Sequence, residues 1–217
     1  MNFYKNLFNF LTNDAKPSDY LCFLKNKGLI SFLPELQSII NIPQEPFWHP
    51  EGDVWTHTLM VIDCAAEFKD EFYYLDDYAA FILGALCHDL GKPYTTFWDK
   101  GRWRSPMHDT IGLIPTTSLL RKMNLSDSIR IKTLSYVAEH LHPMQFYKSK
   151  DIISDQAIIK LQSRIHIPHL INLAKADHFG RTTQDAIDKD SYIKSLRVAI
   201  IAQNKFHDFF SVLFGEI

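Results

Sequence analysis

Between Leu75 and Cys87 the apolar residues Leu75, Tyr78, Ala79, Ile82, Leu83 and Leu86 recur at steps of three and four. That is the spacing of one buried face of an α-helix. The run stops at His88-Asp89, with Leu90-Gly91-Lys92 behind it. Two strongly solvated side chains therefore stand where a helix has just buried itself. A second stripe, Val54, His57, Val61 and Ala65, runs through about 53 to 69. Helix-start residues mark others. Ser18-Asp19 caps a short helix closed by Gly28, Ser126 one ending near His140, and Ser154 one ending near Ile165. Pro168 stands at the start of one ending near His178. Patterns over about 107 to 123 and 185 to 213 complete the set, and the opening MNFYKNLFNFLTND reads as an amphipathic first helix. Pro34, Pro43, Pro46 and Pro50 space a looser stretch. The break toward β-structure is PYTTFWDKGRWRS (93 to 105), where Asp99-Lys100-Gly101 is a turn between aromatic-rich arms. The expectation is an all-α helical bundle with a small hairpin or lid loop near 94–105.

The 217 residues suffice for one generous domain, and 46% hydrophobic against 22% charged residues excludes a disordered chain. With 23 basic and 25 acidic residues the net charge is −2, which disfavours a wholesale basic nucleic-acid surface while leaving room for a local phosphate patch. Cys22, Cys64 and Cys87 show no CxxC and no zinc-ribbon spacing, and are expected as buried thiols of a reducing compartment. No apolar run approaches the ~18 residues of a membrane span, and the N-terminus is too polar for a signal peptide. A cytoplasmic protein without membrane contact is expected. The C-terminal FHDFFSVLFGEI suits either a dimer face or a terminal helix packed on its own core, so the oligomeric state stays open.

Four positions carry the chemistry. His57 has Val54 three residues before it and Val61 four after; Asp177 has Leu173 and Ala174 behind it; His88 and Asp89 end the Leu75 helix. A carboxylate on a buried face is costly unless it is paired or metal-bound. Two imidazoles and two carboxylates from three helices offer mixed nitrogen and oxygen ligands to a divalent metal. A single histidine on an apolar face is as a rule a hydrogen-bonded core residue. That plainer reading is taken for His49, His166, His169, His178 and His207. The ordered series of a histidine, an HD pair and a later aspartate is what sets these four apart.

That series resembles the HD superfamily of metal-dependent phosphohydrolases. LPEL (33–36), IPQEPFWHPEGDVWTHTLMVID (42–63), ALCHDLGKP (85–93), SPMHDTIG (105–112) and ADHFGR (176–181) look like the C-terminal HD domain of bacterial tRNA nucleotidyltransferases, the CCA-adding enzymes. Those enzymes carry a large N-terminal nucleotidyltransferase domain, for which the stretch before residue 33 is too short. The resemblance therefore implies a stand-alone HD domain that does not add CCA. Its expected layout is an N-terminal helical extension (1–32), an HD core (33–182) and a C-terminal helix packed on that core (183–217).

The resemblance further implies His57, His88, Asp89 and Asp177 as metal ligands. His108 and His140 (or His142 in place of His140) would hold a second ion that Asp89 bridges. The metal would be manganese, nickel, cobalt, iron, magnesium or zinc, one or two per chain. Lys92 and Arg181 are candidates to face phosphate, with Arg181 alternatively bracing Asp177. His108 and His140 are equally readable as hydrogen-bond donors to phosphate or as the general acid. Asp89, Lys92, His108 and Arg181 are the expected catalytic groups. Glu51 and Asp53 would orient His57, although Asp53 also fits a plain helix N-cap. Arg102 and Arg104 could cover the mouth of the site, and Trp98 and Trp103 offer a flat surface to a base. The expected activity is phosphatase, nucleotidase or phosphodiesterase action on small phosphoesters such as nucleoside monophosphates or 2′,3′-cyclic nucleotides, with RNA ends as further partners. Two competing readings are a non-catalytic metal- or RNA-binding module and a di-iron oxygenase.

Overall fold

The computed structural model describes residues 3–149 and 154–182. The expected last helix, the terminal FHDFFSVLFGEI and His207 lie outside the described residues. Among the described residues the structure is helical, in the order α1 (Phe3–Asn13), α2 (Pro17–Asn26), a 3-10 turn (Leu29–Phe32), α3 (Pro34–Gln37), α4 (Val54–Ala66), a 3-10 turn (Lys69–Glu71), α5 (Leu75–Cys87) and α6 (Lys92–Thr95). The hairpin β1 (Phe97–Asp99) and β2 (Arg102–Arg104) follows, then α7 (His108–Ile111), α8 (Leu113–Arg121), α9 (Asp127–Glu139), α10 (His142–Ser149), α11 (Asp155–Gln162) and α12 (Ile167–Phe179).

α5 is the axis of the bundle. Every residue from Tyr78 to Cys87 is buried, so this helix is covered on all sides rather than along one stripe. α9 lies along one side of it, α4 and α12 along others, and α2 backs α4. The α5–α9 approach is close because position 84 has no side chain: a Cβ on Gly84 would stand 2.5 Å from Tyr136 Cβ. Leu7, Leu11, Leu21 and Leu24 of the first two helices join the same apolar cluster as Phe81, Leu83 and Leu173. Each such side chain contributes about 1.5–3 kcal/mol by leaving water. No helix among the described residues is long and apolar enough to cross a membrane.

The helix starts follow local chemistry. Ser126 accepts from the Ile129 amide, and Ser154 from the Ala157 amide. Pro168 sits in the first turn of α12, where its missing N–H costs nothing. α2 differs from the expectation. Its N-cap is Lys16, whose side chain makes no cap, and Pro17 begins the helix. Ser18 lies inside it, and the capping acceptor is Asp63 of α4, which receives the Ser18 amide at 2.9 Å and hydroxyl at 2.6 Å. The segment 107–123 is two helices, not one. Met107 has a φ of 56°, outside helical space, and the chain turns at Gly112 between α7 and α8. The hairpin turns on Lys100 and Gly101, both with positive φ (48° and 82°), between the paired residues Asp99 and Arg102. Such a two-residue loop matches the natural twist of paired strands.

Candidate metal centre

The ends of helices meet on one side of α5. His57 comes from the first turn of α4, His88 and Asp89 from the C-terminus of α5, and His108 from the first position of α7. His140 ends α9, and Asp177 lies near the end of α12. His57, His88, Asp89, His108 and His140 are all buried.

Three of the histidines face the carbonyl three residues earlier in the same way, and two of those carbonyls, of Ala85 and Val137, are helix-end groups that lack intrahelical partners. His88 Nδ1 lies 2.8 Å from the Ala85 carbonyl, His140 Nδ1 2.8 Å from the Val137 carbonyl, and His108 Nδ1 2.7 Å from the Ser105 carbonyl. A carbonyl only accepts, so each Nδ1 carries the proton and each neutral ring keeps a lone pair on Nε2. Those Nε2 atoms point at one another and at Asp89. His108 Nε2 is 3.2 Å from His140 Nε2 and 3.3 Å from Asp89 Oδ1. His88 Nε2 is 3.2 Å from Asp89 Oδ2, yet makes no hydrogen bond. Lone pairs facing lone pairs in a buried space are repulsive unless a cation stands between them.

His57 is held on both nitrogens. Nδ1 faces Glu51 Oε1 at 2.9 Å and the Gly180 carbonyl at 3.2 Å, while Nε2 faces Asp177 Oδ1 at 3.0 Å. Burial opposes its charging, but the hydrogen bonds with Asp177 and Glu51 outweigh burial and raise its pKa. Burial likewise pushes the Asp177 carboxyl up, and the Arg181 guanidinium and His57 hold it well below the usual range. Asp89 behaves the same way under His88 and Lys92. Burial, reinforced by His108 and His88, pushes His140 down to about 3, and His108 is also lowered, chiefly by burial. These two rings stay neutral ligands near neutrality.

Two sets of donor atoms, each clustered within 4.8 Å, lie side by side: His57, His88 and Asp177 in one, Asp89, His108 and His140 in the other. Asp89 presents Oδ2 to the first set, 3.9 Å from His57 Nε2, and Oδ1 to the second. Neutral imidazoles with carboxylates are a donor set that fits a divalent transition metal. A third cluster, His49, Glu51 and His57, shares Glu51 Oε1, which also lies 2.9 Å from His49 Nδ1.

Lys92 Nζ donates to Gln44 Oε1 at 2.6 Å and makes an ion contact with Asp89 Oδ2 at 2.6 Å. Arg181 lies against Asp177, with Nη2 2.9 Å from Oδ1 and Nε donating to the backbone carbonyl. Asp53 is a helix cap: its carboxylate accepts the Thr56 amide at 2.9 Å and the Asn41 amide at 2.6 Å. His142 turns to Glu139, with Nδ1 3.0 Å from Oε2, which leaves His140 in the cluster. His166 and His169 pack on each other, and His169 on Phe72, away from the centre.

Sequence reading missed Gln44, and placed His49 among ordinary core histidines. A buried glutamine has no motif to betray it. His49 stood beside Glu51 in WHPEGD, a spacing that could have flagged a shared carboxylate. Gly91 and Gly112 were also missed. A Cβ on Gly91 would fall 2.0 Å from the His108 carbonyl oxygen and 2.7 Å from the Gly112 nitrogen, so the backbones of α6 and α7 touch there.

A mostly helical bundle with buried histidine and carboxylate groups able to hold metal defines the class of protein. No family model matches the chain. It is similar to the multifunctional CCA protein of Xylella fastidiosa (strain M23), 29% identical over 176 residues, covering 77% of this chain and 39% of that protein. The multifunctional CCA protein of Xanthomonas campestris pv. campestris (strain B100) is 27% identical over 197 residues, covering 88% and 46%. That of Xanthomonas oryzae pv. oryzae (strain MAFF 311018) is 28% identical over the same length. The chain spans less than half the length of these curated relatives. The similarity supports a relationship to the CCA proteins.

Proposed function

We propose that the chain is an HD-type metal-dependent phosphohydrolase acting on small phosphoesters such as nucleoside monophosphates or 2′,3′-cyclic nucleotides. The observation that carries this reading is the convergence of the His88, His108 and His140 Nε2 lone pairs on the two oxygens of Asp89. His57, His88, Asp89 and Asp177 would hold one divalent metal, and Asp89, His108 and His140 a second, with Asp89 shared. When bound, such ions acidify water and polarise a phosphoryl oxygen.

The chain's own groups supply the rest. Asp89 and Asp177 remain ionised, so they accept hydrogen bonds from an attacking water and orient it. Lys92, fixed by Gln44, places a positive charge where phosphoryl oxygens gain negative charge. Arg181 holds Asp177 in place and adds a second positive charge on the same side. The Ala85, Ser105 and Val137 carbonyls keep the three rings aimed inward through their Nδ1 protons.

The test is metal-stripped protein, with each of manganese, nickel, cobalt, magnesium, iron and zinc added back. Metal stoichiometry would be measured by calorimetry, and turnover as phosphate release from nucleoside monophosphates, ring opening of 2′,3′-cyclic nucleotides to monophosphates, and p-nitrophenol release from bis(p-nitrophenyl) phosphate. The expected result is metal-dependent turnover, absent in Asp89→Ala. Metal-loaded, folded protein without turnover would refute it in favour of a binding module. Iron-dependent oxygen consumption would refute it in favour of oxidation.

A further inference from the structure

We propose that the β1–β2 hairpin and the neighbouring Phe47–Trp48 turn form an arm that stacks the terminal bases of a single-stranded RNA beside the candidate metal centre. The choice of RNA rests on the phosphohydrolase reading, because 2′,3′-cyclic phosphates form only on ribose.

The arm exposes aromatic surface that the fold does not use. Trp98 is 57% exposed, Phe97 48%, Tyr94 63%, Phe47 65% and Trp48 42%. Successive strand residues face opposite ways, so Trp98 and its cross-strand partner Trp103 share one face, their rings 5.1 Å apart and nearly perpendicular. Phe47 and Trp48 make a second edge-to-face pair at 4.7 Å. Glu45 ties the two together by accepting the Trp103 amide at 3.0 Å. Two aromatic pairs, the first exposed at Trp98 with Trp103 half-buried behind it and the second exposed at both Phe47 and Trp48, suit successive bases of a strand better than one mononucleotide.

The charge agrees. From 92 to 108 the chain carries Lys92, Lys100, Arg102 and Arg104 against one acid, Asp99, although the whole protein is net −2. Asp99 pairs with Arg104 at 2.9 Å, while Lys100 and Arg102 are exposed. A basic, aromatic arm on an otherwise acidic protein favours a polyanion with flat bases.

Both roots of the arm enter the centre. Thr96 and Ser105 close the base of the hairpin through their hydroxyls at 2.8 Å, and the Ser105 carbonyl is the acceptor that orients His108. Gln44, next to Glu45, holds Lys92. The five Cα–Cα steps from Trp103 to His108 reach at most about 17 Å, so bases stacked on the arm would lie within a few nucleotides of the centre.

The test is fluorescence anisotropy of a labelled hexa-adenylate RNA with a 3′-phosphate, on the full chain in EDTA, where no turnover can occur. Binding is expected, with Trp98→Ala and Arg102→Ala each weakening it by roughly tenfold, the size of one base–aromatic stack or one lost phosphate contact. Circular dichroism would establish that these exposed substitutions leave the fold intact. AMP should compete only weakly. Absence of binding, binding unchanged in both variants, equal binding of the DNA hexamer, or tighter binding of an acidic peptide would each overturn the proposal. Turnover of bis(p-nitrophenyl) phosphate by wild type with added metal separates the two readings. Its absence with RNA binding intact refutes the hydrolase alone, whereas turnover without RNA binding refutes the arm alone.

Discussion

Gly91→Ala should damage one half of the candidate centre and spare the other. The added Cβ would lie 2.0 Å from the His108 carbonyl oxygen, 2.7 Å from the Gly112 nitrogen and 2.8 Å from the His108 carbonyl carbon. All three are backbone atoms, so no side chain can swing aside. Since real Cβ contacts essentially never fall under 3.0 Å, α7 must retreat by about 1 Å. His108 is the first residue of α7, and its Nε2, 3.3 Å from Asp89 Oδ1, moves with it. A displacement of that size costs on the order of 100-fold where positioning matters, and the overpacking itself about 1–3 kcal/mol of stability. For a chain of this size that is a Tm lower by roughly 2–12 °C. Calorimetric titration with manganese should show one site near wild-type affinity, made by His57, His88 and Asp177, and one weakened or lost. Two equal wild-type sites in Gly91→Ala, with an unchanged Tm, would refute the reasoning.

Glu51→Gln should have the opposite bias, weakening the metal set that contains His57 by roughly 10–100-fold, because the Glu51 carboxylate oxygen 2.9 Å from His57 Nδ1 is replaced; calorimetry on the variant checks it. Burial alone would raise the Glu139 carboxyl, but hydrogen bonds from His142 and Arg164 hold it at about 2. A depressed carboxylate stabilises the fold above its unfolded value of 4.5, and that stability fades as pH falls toward 2. Wild type should therefore melt above Glu139→Gln at pH 7, with the gap narrowing below pH 4.5 and closing only near pH 2; a gap independent of pH would contradict it. Leu83→Ala, at a fully buried position of α5, should cost about 2–5 kcal/mol, read from urea unfolding midpoints.

The all-α class was legible because periodicity is a local property. The stripes through 53–69 and 75–87 anticipate α4 and α5, with boundaries displaced by a few residues at the end of α4. Ser126 and Ser154 act as caps within their own first turns. The hairpin follows from Asp99-Lys100-Gly101, where Lys100 and Gly101 take the positive φ values of a tight turn. The cap of α2 was misread because its acceptor, Asp63, is 45 residues distant. The helix at 107–123 was misread because nothing local shows that Gly112 must pass Gly91.

The candidate site divides along the same line. Its residue types and order, His57, His88-Asp89, His108, His140 and Asp177, stand in the chain and need no coordinates to be noticed. Glu51 and Asp53 were indistinguishable there, being two carboxylates just before one helix. The folded chain turns Glu51 to His57 Nδ1 and leaves Asp53 as a cap. Sequence alone determined which side chains and helical faces were available, because composition and local periodicity are written along the chain. Only the tertiary structure decided which lone pairs converge, since Nε2 direction depends on a carbonyl at one end of a helix and on neighbours brought from up to 123 residues away, as with Gly180 and His57.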